Sequence, residues 1–204
     1  MIEKKKTSVY VAEVISGEVG KVFPPERNDF IENTKNTKLR CERYSVWKLL
    51  EYALKDSMGI KISELEFKRD GGRWYSDGIY FSLSHSTSLV AVAVSYSPVG
   101  VDIEEIHGIS STRMPERIFS EDELLEYSEL KEEKREEYLV AKWSAKESLF
   151  KKSEAPFFIP KSYIPTEENT TFYRIVHDEK NFVLTVASDS ETEVFDLSEK
   201  TTWF

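Results

Sequence analysis

The chain has 204 residues, a net charge of −9 and one cysteine, Cys41. A lone cysteine excludes an internal disulfide framework and a cysteine-based zinc site within one chain. No apolar run approaches the ~20 residues that a membrane-crossing helix needs, and the length suits one large domain or two small joined ones.

The opening "MIEKKKTSVYVAEV" is basic and then apolar, but Glu13 interrupts it and no small-residue cleavage site follows. A secretory leader is therefore not expected, and a soluble cytoplasmic protein is. "TSVYVAEV" reads as a strand, and Pro24 and Pro25 then break the chain. "NTKLRCERYSVWKLLEYALKDSMG" sets Leu39, Tyr44 (or Arg43), Trp47, Leu50 and Leu54 at helical spacing, with Gly59 as a stop signal. "ELEFKRDGGRWY" reads as a strand running into an Asp-Gly-Gly turn. "IYFSLSHS", "LVAVAVSY" and "VGVDIEEI" are three further strand candidates. "RIFSEDELLEYSEL" restarts a helix, with Ser120 and Glu123 matching a capping box. A second helix is expected from about Glu132 to Ser153, then a proline-marked loop at Pro156, Pro160 and Pro165. Three short strands, "TFYRIVHD", "NFVLTVAS" and "EVFDL", close the chain.

This order predicts an α+β fold with mainly antiparallel sheet. It also suggests two similar halves, 1–97 and 98–204, each a long helix packed on a small sheet. Charge is unevenly spread. Glu121 to Glu137 holds nine acids against Lys131, Lys134 and Arg135, whereas Lys35 to Arg43 holds four bases and one acid. A local basic patch can thus attract an anion despite the acidic total.

Two segments carry the candidate chemistry. On a strand, alternate residues share a face, so in "GVDIEEI" Asp102 and Glu104 point one way and Val101 and Ile103 the other. Adjacent carboxylates repel, which either raises a pKa or draws in a cation, and hard oxygen ligands suit Mg²⁺. A plain solvent-facing edge strand fits the same pattern. In "KWSAKESLFK", read as a helix, Glu147 sits about 40° from Trp143 and about 60° from Phe150. A carboxylate inside an apolar stripe must be protonated, paired or metal-bound. It can pair with Lys151 one turn on, or it can join Asp102 and Glu104 around one metal ion while Lys151, Lys146 or Lys152 faces a phosphate. His85, among small hydroxyl residues in "FSLSHS", is either structural or a phosphate donor or proton carrier. His107 and His177 have no supporting context and are read as surface residues.

The order "FSLSHS", "GVDIEEI", "RIFSEDE", "WSAKESLFK" resembles the 4′-phosphopantetheinyl transferases of the surfactin-synthetase type. The resemblance covers Phe81 to Lys151 well, the helix from Lys35 to Leu54 less closely, and the tail poorly. It implies a pseudo-twofold monomer with the active site between its halves, and no nucleic-acid or membrane partner. The implied reaction moves phosphopantetheine from coenzyme A to a serine of an apo acyl or peptidyl carrier protein. It requires Mg²⁺ and releases adenosine 3′,5′-bisphosphate. By resemblance, Asp102, Glu104 and Glu147 are metal ligands, and Glu147 is also the candidate general base. His85 and Lys151 contact coenzyme A phosphates, Ser84 sits beside the nucleotide, and Arg43, Lys35 and Lys38 hold the 3′-phosphate. Three departures stand out. The usual asparagine before "SHS" is absent. The usual Gly-Lys-Pro block reads "GGRWYSDG", with Arg73 in place of the lysine as a coenzyme A contact and the proline gone. "KSEAPFF" stands where glycines usually follow. A degenerate relative that binds coenzyme A or a carrier without catalysis, and a Mg²⁺-dependent phosphohydrolase, are the rival expectations.

Overall fold

The computed structural model describes residues 6–70, 73–107, 113–153 and 155–200. The two glycines of the expected Asp-Gly-Gly turn lie outside these residues. The first part of the chain forms β1 (Thr7–Glu13), α1 (Glu26–Glu32), α2 (Thr37–Met58), β2 (Phe67–Asp70), β3 (Arg73–Ser76), β4 (Tyr80–Ser86) and β5 (Leu89–Ser95). The second forms β6 (Val99–Glu105), α3 (Met114–Ile118), α4 (Glu121–Glu129), α5 (Glu132–Ser153), β7 (Thr171–His177), β8 (Lys180–Ser188) and β9 (Thr192–Asp196). Helix α1, with the sequence ERNDFIE, was not anticipated. It is too short and polar to show a helical period.

Local chemistry explains the helix ends. Asn36 caps α2 by accepting a hydrogen bond from the Leu39 amide, and Gly59 ends it in the left-handed region at φ +68°. The expected capping box on α4 forms. The Ser120 amide donates to Glu123 Oε2 at 2.9 Å, and the Glu123 amide donates to Ser120 Oγ at 3.3 Å. Helices α2 and α5 are each 22 residues long.

The strands make a mixed sheet in the order β4-β5-β1-β9, a β2-β3 pair and an antiparallel sheet in the order β6-β8-β7. Period-two alternation separates two cores. Tyr10, Ala12, Val90, Val92 and Val94 meet Trp47, Leu50 and Leu54 of α2. Val9, Val11, Ala91 and Ala93, on the other face, meet Val101, Ile103, Leu184 and Val186 of the second sheet. Helix α5 packs on the remaining face of β6 and β8, where Ser144 Oγ and Thr185 Oγ1 are 2.9 Å apart. The layers therefore run helix, sheet, sheet, helix, an α+β architecture. The connection between β5 and β6 contains the 97/98 boundary. Strand β9, however, pairs in parallel with β1 of the first sheet. Among the described residues, no helix is long and apolar enough to cross a membrane.

Candidate functional site

The site begins with a hydrogen-bonding problem at a sheet edge. Strand β6 pairs with β8 on one side only, so the amides on its other edge need acceptors. Those amides repeat every second residue, as do side chains on one face of a strand. Strand β4 supplies serines at the matching period. Ser82, Ser84 and Ser86 Oγ accept from the amides of Val101 (3.0 Å), Ile103 (3.3 Å) and Glu105 (3.1 Å). A hydroxyl can accept and donate at once. Ser84 accordingly donates to Asp102 Oδ1 at 2.8 Å, and Ser86 donates to Glu104 Oε2 at 3.2 Å. The serines both join the sheets and aim the two carboxylates. Ser84→Ala should leave the buried Ile103 amide unsatisfied and cost about 1–3 kcal/mol, read as a lower midpoint in urea unfolding.

Helix α5 brings the other two groups. Lys151 Nζ donates to Asp102 Oδ1 at 2.7 Å and to the Val101 carbonyl at 3.1 Å, and lies 3.8 Å from Glu147 Oε2. Lys151 thus bridges Asp102 and Glu147, and the expected pairing of Glu147 with Lys151 is present. Trp143 and Phe150 flank it by packing on Phe158, with ring centroids 5.4 and 5.0 Å away. The Glu147 side chain is 26% exposed, so its position is open rather than a sealed core.

The electrostatics are those of crowded acids. Burial, then the charges of Asp102 and Glu147, push Glu104 up to about 7, partly offset by Ser86 and Lys151. Burial and then Asp102 raise Glu147 as well, against the pull of Lys151. Asp102 is 2% exposed, and its Oδ2 has no hydrogen-bond partner among the described residues. An orphaned buried carboxylate oxygen beside two carboxyls whose pKa values are raised is a donor set that fits a hard divalent cation. As they stand, the three carboxylates do not draw together as a group with all ligand oxygens within 4.8 Å; among the described residues Glu13, His177 and Asp178 do.

The other expected residues are distributed around this core. His85 projects from β4 opposite to Ser84 and meets Glu42 of α2, with Nδ1 and Oε2 3.2 Å apart. Burial and then Lys151 and Arg43 lower its pKa. Arg43 stacks 4.2 Å from the Phe30 ring and donates to Thr34 Oγ1 at 2.8 Å. Lys35 and Lys38 are exposed at the start of α2. Arg73 donates to the carbonyls of Phe150 (3.4 Å) and Ala155 (3.3 Å), fastening β3 to the C-terminal end of α5. Lys146 is also diverted: fully buried, it pairs with Glu123 at 2.7 Å and donates to the Tyr163 carbonyl. Lys152 pairs with Asp189. The reading of His177 as a surface residue is corrected, since it is only 8% exposed.

Sequence reasoning missed Ser82, Ser86, Glu42 and Arg27. The Ser-x-Ser-x-Ser alternation was a visible signal for the first two. Arg27, like Arg43, lies over the Phe30 ring, 4.5 Å from its centroid. Burial, then Arg43 and Arg69, lower its pKa to about 10. The pair of guanidiniums on an exposed ring makes an anion-attracting patch. A small recess lined by Ile106, Glu133, Glu136, Glu137, Arg174 and Asn181 lies apart from the carboxylates, and its three glutamates make it a poor seat for phosphate.

Residues 98–190 match the model of the 4′-phosphopantetheinyl transferase superfamily. The chain is 32% identical over 107 residues to the 4′-phosphopantetheinyl transferase psf-1 of Bacillus pumilus, covering 50% of this chain and 46% of that protein. It is 29% identical over 130 residues to the 4′-phosphopantetheinyl transferase gsp of Aneurinibacillus migulanus, covering 63% and 53%. It is 33% identical over 81 residues to the 4′-phosphopantetheinyl transferase ffp of Bacillus subtilis, covering 40% and 36%. The chain thus aligns with about half the length, or less, of these curated relatives. Across residues 98–190 the chain is similar to the 4′-phosphopantetheinyl transferase superfamily.

Proposed function

We propose that the protein transfers 4′-phosphopantetheine from coenzyme A to a serine hydroxyl of an apo acyl or peptidyl carrier protein. The observation that carries this reading is the bridge of Lys151 between Asp102 and Glu147, with Asp102 Oδ2 unpartnered. In the transfer, the serine oxygen forms a bond to the β-phosphorus of coenzyme A. The bond from that phosphorus to the bridging oxygen breaks, and its electron pair leaves on adenosine 3′,5′-bisphosphate. The serine proton goes to a base. Glu147 is suited to accept it, being partly open to solvent and held above the usual carboxylate range by burial and Asp102. Lys151 supplies a fixed positive charge, which stabilises the charge that develops on the phosphates. Arg43 and Arg27 are suited to the 3′-phosphate, Lys38 and Lys35 to steering, His85 to a hydrogen bond to phosphate, and Ser84 to positioning Asp102.

Asp102, Glu104 and Glu147 would hold Mg²⁺, which when bound neutralises pyrophosphate charge as a Lewis acid. Incubation with coenzyme A, Mg²⁺ and a panel of apo carriers should add the mass of one phosphopantetheine to at least one carrier. Binding without product would favour a non-catalytic relative, and free phosphopantetheine without a carrier would favour a phosphohydrolase. The carrier surface is expected to be apolar or basic, away from the acids of Glu121 to Glu137.

The raised pKa of Glu104 gives a pH signature. Its folded value is about 7 against an ordinary 4.5, so between those values the folded state holds the proton more tightly than the unfolded state. In chelator, this contribution to stability is full below about pH 4.5 and is lost as pH rises through 7, by up to about 3 kcal/mol. His85, with a lowered pKa, acts with the opposite sign below its ordinary 6.5, so the comparison is with Glu104→Gln. Thermal unfolding from pH 5.5 to 8.5 should decline more steeply for the parent than for this variant, and Mg²⁺ should stabilise the parent most at the alkaline end. Parallel profiles without a Mg²⁺ effect would count against the metal assignment.

A further inference from the structure

A second cluster lies outside the machinery described above. Glu13 is the last residue of β1 in the first sheet, and His177 is the last of β7 in the second. Asp178 follows it in the β7–β8 turn, where Asp178 and Glu179 take φ +48° and +61°. One ring nitrogen of His177 and one carboxylate oxygen from each of Glu13 and Asp178 lie within 4.8 Å of one another. Two surface acids near a histidine would mean little alone. The imidazole, however, is more than nine-tenths buried, and its Nε2 has no hydrogen-bond partner. That nitrogen faces Asp178 Oδ2 at 3.5 Å, too far for a good hydrogen bond. Buried polar atoms are rarely left without a partner, so the geometry asks what this nitrogen is for.

We propose that Glu13, His177 and Asp178 form a transition-metal site, of the kind that takes Zn²⁺, which staples the first sheet to the β7–β8 hairpin. One imidazole and two carboxylates select this class of ion, because Mg²⁺ and Ca²⁺ prefer oxygen-only shells. Zinc bonds to nitrogen and oxygen are about 2.0–2.2 Å, which places tetrahedral ligands ~3.3–3.6 Å apart. His177 is fixed by burial. Glu13 and Asp178 are exposed, so their side chains can rotate inward to close the set. Three protein ligands leave a fourth position for water.

The test uses the full chain, stripped with chelator and held in excess Mg²⁺ so that oxygen-only sites are filled. Titration with ZnCl₂ by calorimetry should show one ion bound per chain. At about 100 times the dissociation constant, the unfolding temperature should rise by roughly 5–10 °C. Glu13→Gln and His177→Gln should each weaken Zn²⁺ binding by at least about tenfold, while Asp102→Asn leaves it unchanged. CoCl₂ should give a visible absorption band that His177→Gln removes. If His177→Gln does not fold, the exposed Glu13→Gln decides the matter. Absence of Zn²⁺ binding, or binding lost in Asp102→Asn and kept in Glu13→Gln, overturns the proposal.

Discussion

Asp102→Ala is expected to lower phosphopantetheine transfer by about 10³-fold in a protein that still folds. The carboxylate is nearly fully buried and touches Ser84 and Lys151, while its Oδ2 has no protein partner. Removing it relieves repulsion on Glu104 and Glu147, since the charge of Asp102 raises the pKa of both. Lys151 keeps the Val101 carbonyl and the nearby Glu147 carboxylate, so no isolated charge is buried. Stability should therefore change little while the site loses its central anion. Glu147→Ala should cost a similar factor, by loss of a cation ligand and of the group suited to take the serine proton. The measurement is holo-carrier formation followed by mass, with unfolding curves alongside. Near-parent rates in both variants would remove the assigned roles.

Gly100→Ala tests the frame that makes the site possible. A β-carbon at this position would lie 1.8 Å from the Ser148 carbonyl oxygen and 2.8 Å from the Lys152 amide nitrogen. Both are backbone atoms of α5, so no side-chain rotation relieves the clash. Either the helix moves off β6 or the strand distorts, and both separate Lys151 from Asp102. The cost should be at least about 3 kcal/mol, above the usual range for overpacking and a large share of the ~5–15 kcal/mol that holds a domain together. Gly59→Ala is the contrast. Nothing lies within 4 Å of its β-carbon position, but the residue sits at φ +68°, so the cost should be about 1–2 kcal/mol. Equal midpoints for the two variants in urea unfolding would show that the close approach of α5 to β6 is not needed.

The site was legible where chemistry is local. Asp102 and Glu104 had to share a face because a strand alternates, and Glu147 and Lys151 had to be neighbours because a helix repeats near every fourth residue. The acidic pair on β6 and the Glu-Lys pair on α5 both stand where those periods put them. Arg73 shows the opposite case. It stands where the family resemblance puts a coenzyme A contact, and, lying beside the end of a helix, it finds free carbonyls, those of Phe150 and Ala155. Lys146 was likewise one of three lysines available to a phosphate, until the packing of α4 set Glu123 against it.

By itself, the sequence determined the α+β class, the two long helices, the capping box and the residue types able to gather a cation and a phosphate. These follow from patterns within a turn or two of chain, where covalent geometry fixes which side chains are neighbours. Only the tertiary structure decided that Ser84 meets Asp102 across 18 positions and that Lys151 meets it across 49. It also decided that β9 returns to β1 and that His177 is buried against the end of the first sheet. The physical reason is that such distances depend on how closely layers pack, and here that closeness rests on one missing β-carbon at Gly100 and on three hydroxyls that complete a sheet edge.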